Sequence, residues 1–194
     1  MGDVSGKGLS SSLLMASLQG MVRTNLAVRQ GEVARFATEL NDSFHKLTAA
    51  ARYATLFFAV VDVSKQTLHY VNAGQNPPLL FRNGTSPAHG QGRTESLDCG
   101  GPPVGLLARS QYRSEHVPLH GGDVLVVYTD GVVEALNVQQ EEFGLGRLSD
   151  IIGSSLALSA AEICKRIAER LQAFVAESPQ WDDITLVIMK VMPE

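Results

Sequence analysis

Three aspartates stand where a strand meets a turn, each beside small, glycine or acidic residues. They are Asp3 in Gly2-Asp3-Val4-Ser5-Gly6-Lys7-Gly8, Asp130 in Tyr128-Thr129-Asp130-Gly131, and Asp182 in Trp181-Asp182-Asp183-Ile184-Thr185. A negative charge at the end of a buried strand is costly unless a cation neutralises it. Several converging carboxylates suit a hard divalent ion such as Mg²⁺ or Mn²⁺. Taken singly, an Asp-Gly after a strand is more often a plain turn, and Asp182-Asp183 more often a solvated loop or cap. Their joint occurrence, in this order and with these neighbours, carries the metal reading. The glycine-rich start is not a P-loop: three residues, not four, separate Gly2 from Gly6, and Gly8 stands where the hydroxyl belongs.

The elements that must position these residues follow from hydrophobic periodicity. Met1 to Gly8 reads as a glycine-rich turn. A helix follows, with Leu14, Leu18, Met21, Val22 and Leu26 at helical spacing. A second helix is expected from about Glu32 to Ala49, with Val33, Phe36, Leu40, Phe44 and Leu47 on its core face. Strands are expected at Ala54 to Asp62, Thr67 to Asn72, Pro78 to Arg82, Gln111 to Leu119 and Asp123 to Thr129. The polar stretch from Asn83 to Gly101 reads as a surface excursion. Helices at Leu145 to Ile152 and Ala160 to Glu177 precede a last strand at Ile184 to Met192. Helices flanking a run of mostly antiparallel strands predict an α+β fold rather than a βαβ repeat.

Composition narrows the function. The 194 residues suit one domain with a substantial core, and 44% hydrophobic with 19% charged residues is ordinary for a soluble globular chain. Sixteen basic against 20 acidic residues, net charge −4, lack the basic excess of a nucleic-acid-binding protein. No apolar run approaches the ~18 residues that span a bilayer, and nothing resembles a signal peptide. Cys99 and Cys164 are not spaced as a metal or redox pair and read as reduced thiols of a cytoplasmic protein.

Several segments together resemble a known family. The Gly2–Gly8 motif is followed by Tyr53-Ala54-Thr55-Leu56-Phe57-Phe58 and by Val71-Asn72-Ala73-Gly74-Gln75-Asn76-Pro77-Pro78. Gly101-Pro102-Pro103-Val104-Gly105-Leu106, the run Gly122 to Gly131, Glu142-Phe143-Gly144 and Asp182-Asp183-Ile184-Thr185-Leu186 complete the set. In this order they resemble the bacterial SpoIIE/RsbU-type phosphatases of the metal-dependent protein phosphatase (PPM, type 2C) superfamily, from Gly2 to about Val191.

The resemblance implies a four-layer α-β-β-α sandwich, with two mainly antiparallel sheets flanked by helices. It implies two Mn²⁺ or Mg²⁺ ions, with Asp3 bridging both, the Val4 carbonyl binding one, and Asp130 and Asp182 completing the other's shell. Paired ions lower the pKa of a shared water, and the resulting hydroxide attacks phosphorus in line without a covalent phosphoenzyme. Lys7, next to the metal motif, is a candidate for the substrate phosphate; Arg52, Arg82 and Arg109 are weaker ones. The implied substrate is a phosphoserine or phosphothreonine in a bacterial regulatory protein, in this branch a STAS-domain anti-sigma-factor antagonist. Relatives are often controlled by dimerisation or a movable helical element, so a homodimer and an upstream sensor domain are candidate partners.

The chain also departs from the pattern. The family's upstream Gly-Gly-Asp-aromatic-aromatic-Asp motif is missing, so residues 1–194 are expected to be one phosphatase domain incomplete at its N-terminus, with an unprotected sheet edge. The Met1 amino group lies within roughly 7 Å of Asp3 along the chain. When protonated it opposes metal binding, so weak metal affinity and low activity are expected. Gln75 replaces a histidine common in relatives and is expected to shape its loop. Ser5 stands where eukaryotic relatives carry a candidate general acid. The five histidines sit in no motif and are expected on the surface or in structural roles. The alternative reading is a catalytically impaired pseudophosphatase that docks a partner.

Overall fold

Runs rich in β-branched and aromatic residues become strands here, and stripes at 3.6-residue spacing become helices. The computed structural model describes residues 1–24, 32–48, 52–83, 94–179 and 182–193. In chain order the elements begin β1 (Gly2–Val4), α1 (Leu9–Thr24), α2 (Val33–Leu47), β2 (Ala54–Asp62), β3 (Thr67–Ala73), β4 (Leu79–Phe81) and β5 (Thr94–Ser96). They continue β6 (Gly100–Gly101), β7 (Glu115–Pro118), β8 (Val124–Tyr128), α3 (Asp130–Val133), α4 (Gly144–Gly153), α5 (Ala160–Val175) and β9 (Leu186–Lys190). The fold class is α+β, with two largely antiparallel sheets and helices. Two compact units hold them: Met1–Gln75 with Asp98–Pro118, and Asn76–Leu97 with Leu119–Glu194. No helix among the described residues is long and apolar enough to cross a membrane.

The first unit contains the sheet β1-β2-β3, with β6 and β7 both pairing to β3, and only the β3–β6 pair is parallel. Helices α1 and α2 supply the apolar stripes that pack with it. Leu18, Phe36, Leu40 and Phe44 join Val4 and Leu56 in one core, and the Phe36 and Phe58 rings stand 4.5 Å apart. Asn41, on the buried face of α2, is a polar exception with both side-chain polar atoms hydrogen-bonded. Its Oδ1 accepts from Gly105 N (2.9 Å) and the Tyr112 hydroxyl (3.3 Å), and its Nδ2 donates to Leu107 O (3.1 Å). Burial pushes the Tyr112 phenol up to about 12, so it remains a neutral donor.

The second unit contains the sheet β5-β4-β8-β9. All five residues of β8 are buried, and Ile163, Ile167 and Leu171 of α5 pack with Val124 and Val126. Each such side chain contributes about 1.5–3 kcal/mol on leaving water. A capping box starts α5: Ser159 Oγ accepts from Glu162 N, and the Glu162 carboxylate accepts from Ser159 N.

One buried ion pair ties β4 to the start of β8. Arg82 Nη1 donates to Asp123 Oδ2 (2.8 Å), while Nη2 and Nε grip Glu95. Burial works against the Asp123 charge. The Asn83 and His120 amides and the Arg82 guanidinium outweigh it and hold the carboxyl below its usual range. The stabilisation is therefore present above the unfolded-state value of ~3.9 and is lost as pH falls through the lower folded value. Removing one partner strands the other in a buried place. Asp123→Ala is expected to destabilise by about 3–5 kcal/mol in urea unfolding, and Asp123→Asn to flatten the acid limb of a stability–pH curve.

Several sequence expectations change. Gly2–Val4 is a strand rather than part of a turn, because it pairs with Leu56, Thr55 and Ala54 and carries Val4 into the core. Leu47 is exposed, since the stripe of α2 outruns the core at the helix's last residue. The strand expected over Gln111 to Leu119 shrinks to Glu115–Pro118, because Tyr112 turns inward beside Asn41. The helix α3 directly after Thr129 has no counterpart among the expectations. Leu26, Ala49, His89 and Trp181 lie outside the described residues, as do residues 84–93 of the excursion expected from Asn83 to Gly101. Its remainder is not a surface excursion, since β5 and β6 pair into the sheets there and Leu97 is buried.

Candidate functional site

The glycine motif of the first unit is built by β1 and the loop leading to α1. Asp3 pairs in register with Thr55 on β2, exposed, while its neighbour Val4 faces the core. The alternation of a strand thus turns the carboxylate outward and fixes the Val4 backbone. The loop beyond is stapled by side chains. Ser5 N donates to Tyr53 O (2.9 Å), and Tyr53 N returns a bond to Ser5 Oγ (3.0 Å). Arg52 Nη1 donates to Ser11 Oγ (2.8 Å), whose own hydroxyl donates to Ser5 O (3.3 Å). Gly6 sits at φ +90, where a Cβ would also lie 3.2 Å from both Arg52 Nη1 and Ser11 Oγ. Lys7 follows, exposed, at the loop's outer turn.

In the second unit the end of β8 holds the other two aspartates together. Thr129 N donates to Thr185 O (3.1 Å) and Thr185 N donates to Thr129 Oγ (2.9 Å), which carries the strand pairing one residue past β8. The Thr129 hydroxyl donates to Asp183 O (3.0 Å). The segment carrying Asp182 and Asp183 is thereby held against Gly131, where an added Cβ would stand 2.5 Å from Asp183 O. Asp130 Oδ1 accepts from Gly131 N (2.9 Å), and Asp182 Oδ1 from Asp183 N (2.8 Å), so both carboxylates are oriented by neighbouring amides. Thr129→Val leaves one amide and one carbonyl without their partner. It is expected to cost about 1–3 kcal/mol, read as a lowered midpoint in denaturant.

Two further carboxylates belong to this region. Glu134 lies at the end of α3, one helical turn beyond Asp130, and Glu142 follows in the Glu-Phe-Gly segment. Burial, then the charges of Asp130, Glu142 and Asp182, push the Glu134 carboxyl above its usual range. Four acids thus share one field. Beside them runs a groove of about 600 Å³, with apolar walls that include Leu136, Leu171 and Val175.

The donor set is oxygen only, which fits a hard divalent ion and not a soft one. The structure brings Asp130 and Asp182 together in the second unit, while Asp3, Val4 and Lys7 stand in the first. Among the described residues, no group of three or more His, Cys, Asp and Glu side chains is gathered closely enough to hold one ion. Arg82 is engaged by Asp123 and Glu95, and Arg109 sits exposed at φ 58. His45 Nδ1 lies 2.7 Å from Gly105 O, and the His69 and His116 rings stack across β3 and β7. Gln75 is buried in its loop, where its Oε1 accepts from Thr55 Oγ1 (2.7 Å). Sequence reasoning missed Thr129, Glu134 and Glu142 as parts of the site. The helical offset of four from Asp130 was the signal available for Glu134, while Thr129 and Glu142 stood inside motifs already singled out without being given a role.

A profile of the family described as stage II sporulation protein E (SpoIIE) matches residues 1–192. Protein IcfG of Synechocystis sp. is 28% identical over 96% of this chain and 32% of its own length. The phosphoserine phosphatase RsbP of Bacillus subtilis is 29% identical over 68% of this chain and 32% of its own length. The chain therefore spans about a third of these two relatives. Among solved structures, the SiaA-PP2C domain of Pseudomonas aeruginosa superposes with a TM-score of 0.77 at 20% identity, covering 97% of this chain and 73% of that one. This likeness shows the PP2C fold.

Proposed function

The chain belongs to the SpoIIE family, and from that premise we propose that residues 1–194 form a metal-dependent protein serine/threonine phosphatase domain. The observation that carries the proposal is the clamp of Thr129 on the Asp183 segment, which holds Asp182 beside Asp130 and Gly131. The clamp brings the backbone of the Asp182–Asp183 segment against Gly131, next to Asp130, at the end of a fully buried strand.

Asp3, the Val4 carbonyl, Asp130 and Asp182 would hold two Mn²⁺ or Mg²⁺ ions. When bound, such ions supply an activated water and neutralise charge on a phosphoryl group. The chain's own contribution is positional. The amides of Gly131 and Asp183 fix the carboxylates of Asp130 and Asp182, and Gly131 leaves room for the Asp183 backbone that a side chain would displace. Lys7 would receive the substrate phosphate as a point charge.

The substrate is a phosphoserine or phosphothreonine of a bacterial regulatory protein, with a STAS-domain antagonist as the expected partner, in the cytoplasm. The name of the relative RsbP, a phosphoserine phosphatase, supports this reading. A homodimer and an upstream sensor domain are the regulatory partners to look for.

The test is Mn²⁺-dependent release of phosphate from p-nitrophenyl phosphate and a phosphoserine peptide, with EDTA as control. Turnover abolished by EDTA supports the proposal. Tight Mn²⁺ binding without turnover on either substrate would instead support a pseudophosphatase that docks a partner.

A further inference from the structure

We infer that the groove beside Asp182 binds the segment of the phosphoprotein that flanks its phosphorylated residue, and that it selects an apolar side chain next to a lysine or arginine. The inference rests on the phosphatase reading. Its basis is the groove itself, about 600 Å³, which begins at Gly131 and Asp182 and therefore adjoins the candidate chemistry.

Its walls and its rim differ in chemistry. Leu136, Leu171 and Val175 present an apolar interior, while the exposed Glu134 and Glu142 supply charge around it. Neither Glu134 nor Glu142 forms an ion pair among the described residues. Arg147, close by in sequence and space, directs its guanidinium to the carbonyls of Glu142 and Phe143 and over the Phe174 ring (4.7 Å). The rim is therefore negative towards solvent, and it complements a cation carried on a peptide. In such an arrangement the apolar slot supplies contact area, and a rim of one charge sign supplies selectivity for an oppositely charged partner. A basic flank would also offset the repulsion between a phosphoprotein's dianionic phosphate and these carboxylates.

The experiment separates this inference from the phosphatase reading, because it measures binding without phosphate or metal. A positional-scanning array of unphosphorylated serine peptides is probed with the purified chain. Lys/Arg, Asp/Glu, Leu/Ile/Val or Ala is fixed in turn at each of five positions on either side of the serine. The expected result is at least threefold enrichment for peptides that place Lys or Arg beside an apolar residue. Glu134→Gln/Glu142→Gln should abolish the basic preference. Ala168→Trp, at an exposed position of α5 lining the groove, should abolish the apolar one. Circular dichroism confirms that both variants fold.

No enrichment, or a preference unchanged in both variants, overturns the inference. So does a dimer in light scattering that Ala168→Trp dissociates, which would assign the groove to a second copy of the chain. Hydrolysis of p-nitrophenyl phosphate, which has no flanking segment, continues to report on the phosphatase reading alone.

Discussion

Asp130→Ala is expected to lower Mn²⁺-dependent hydrolysis of p-nitrophenyl phosphate by about 10²–10³-fold, or about 3–4 kcal/mol of transition-state stabilisation. The carboxylate stands at the end of β8, oriented by the Gly131 amide, and Asp182 is held next to it through Thr129. Alanine removes one oxygen donor and leaves the backbone that positions the other. The loss should therefore fall on metal affinity and kcat together while thermal stability barely moves. Calorimetric titration with Mn²⁺ supplies a second reading independent of turnover. An Asp130→Ala protein with the parent's Mn²⁺ affinity and rate would remove this aspartate from the site.

Gly131→Ala tests the positioning of the same pair without deleting any donor. An added Cβ meets Asp183 O at 2.5 Å and Asp183 C at 3.0 Å, both backbone atoms. The Asp182 segment must then retreat, and a displacement on the order of 1 Å in a catalytic constellation costs about 10²-fold in rate. The two substitutions should not add. If Gly131→Ala acts only through the carboxylate pair, the double variant loses little more than Asp130→Ala alone. Additive losses would mean that the glycine acts elsewhere, and a parent-like rate for Gly131→Ala would show the close approach to be unimportant.

Much of the fold was legible because the relevant signals are local. The run from Ala54 to Asp62 became a strand with the expected bounds, and Ile163, Ile167 and Leu171 on α5 are buried as their spacing requires. Boundaries went astray where a tertiary contact overrode the pattern. Gly2–Val4 looks like a turn by composition and becomes a strand only because β2 offers an antiparallel partner. Gln111 to Arg113 looks extended and leaves the sheet because Tyr112 reaches Asn41 across 71 positions of chain.

The candidate site shows the same division. Residue type and order alone singled out Asp3, Asp130 and Asp182 as candidates for a hard metal ion, because Asp3 and Asp130 adjoin glycine at a turn and Asp182 stands in an acidic pair, all of them local features. Only the tertiary structure decided that Thr129 clamps the Asp183 segment, that Glu134 and Glu142 share a field with Asp130 and Asp182, and that an apolar groove opens beside them. Those facts depend on β8 and β9 pairing across some 60 residues of chain. Hydrogen bonds and charge interactions between such distant positions act over a few ångströms of space, and no periodicity along the sequence records them.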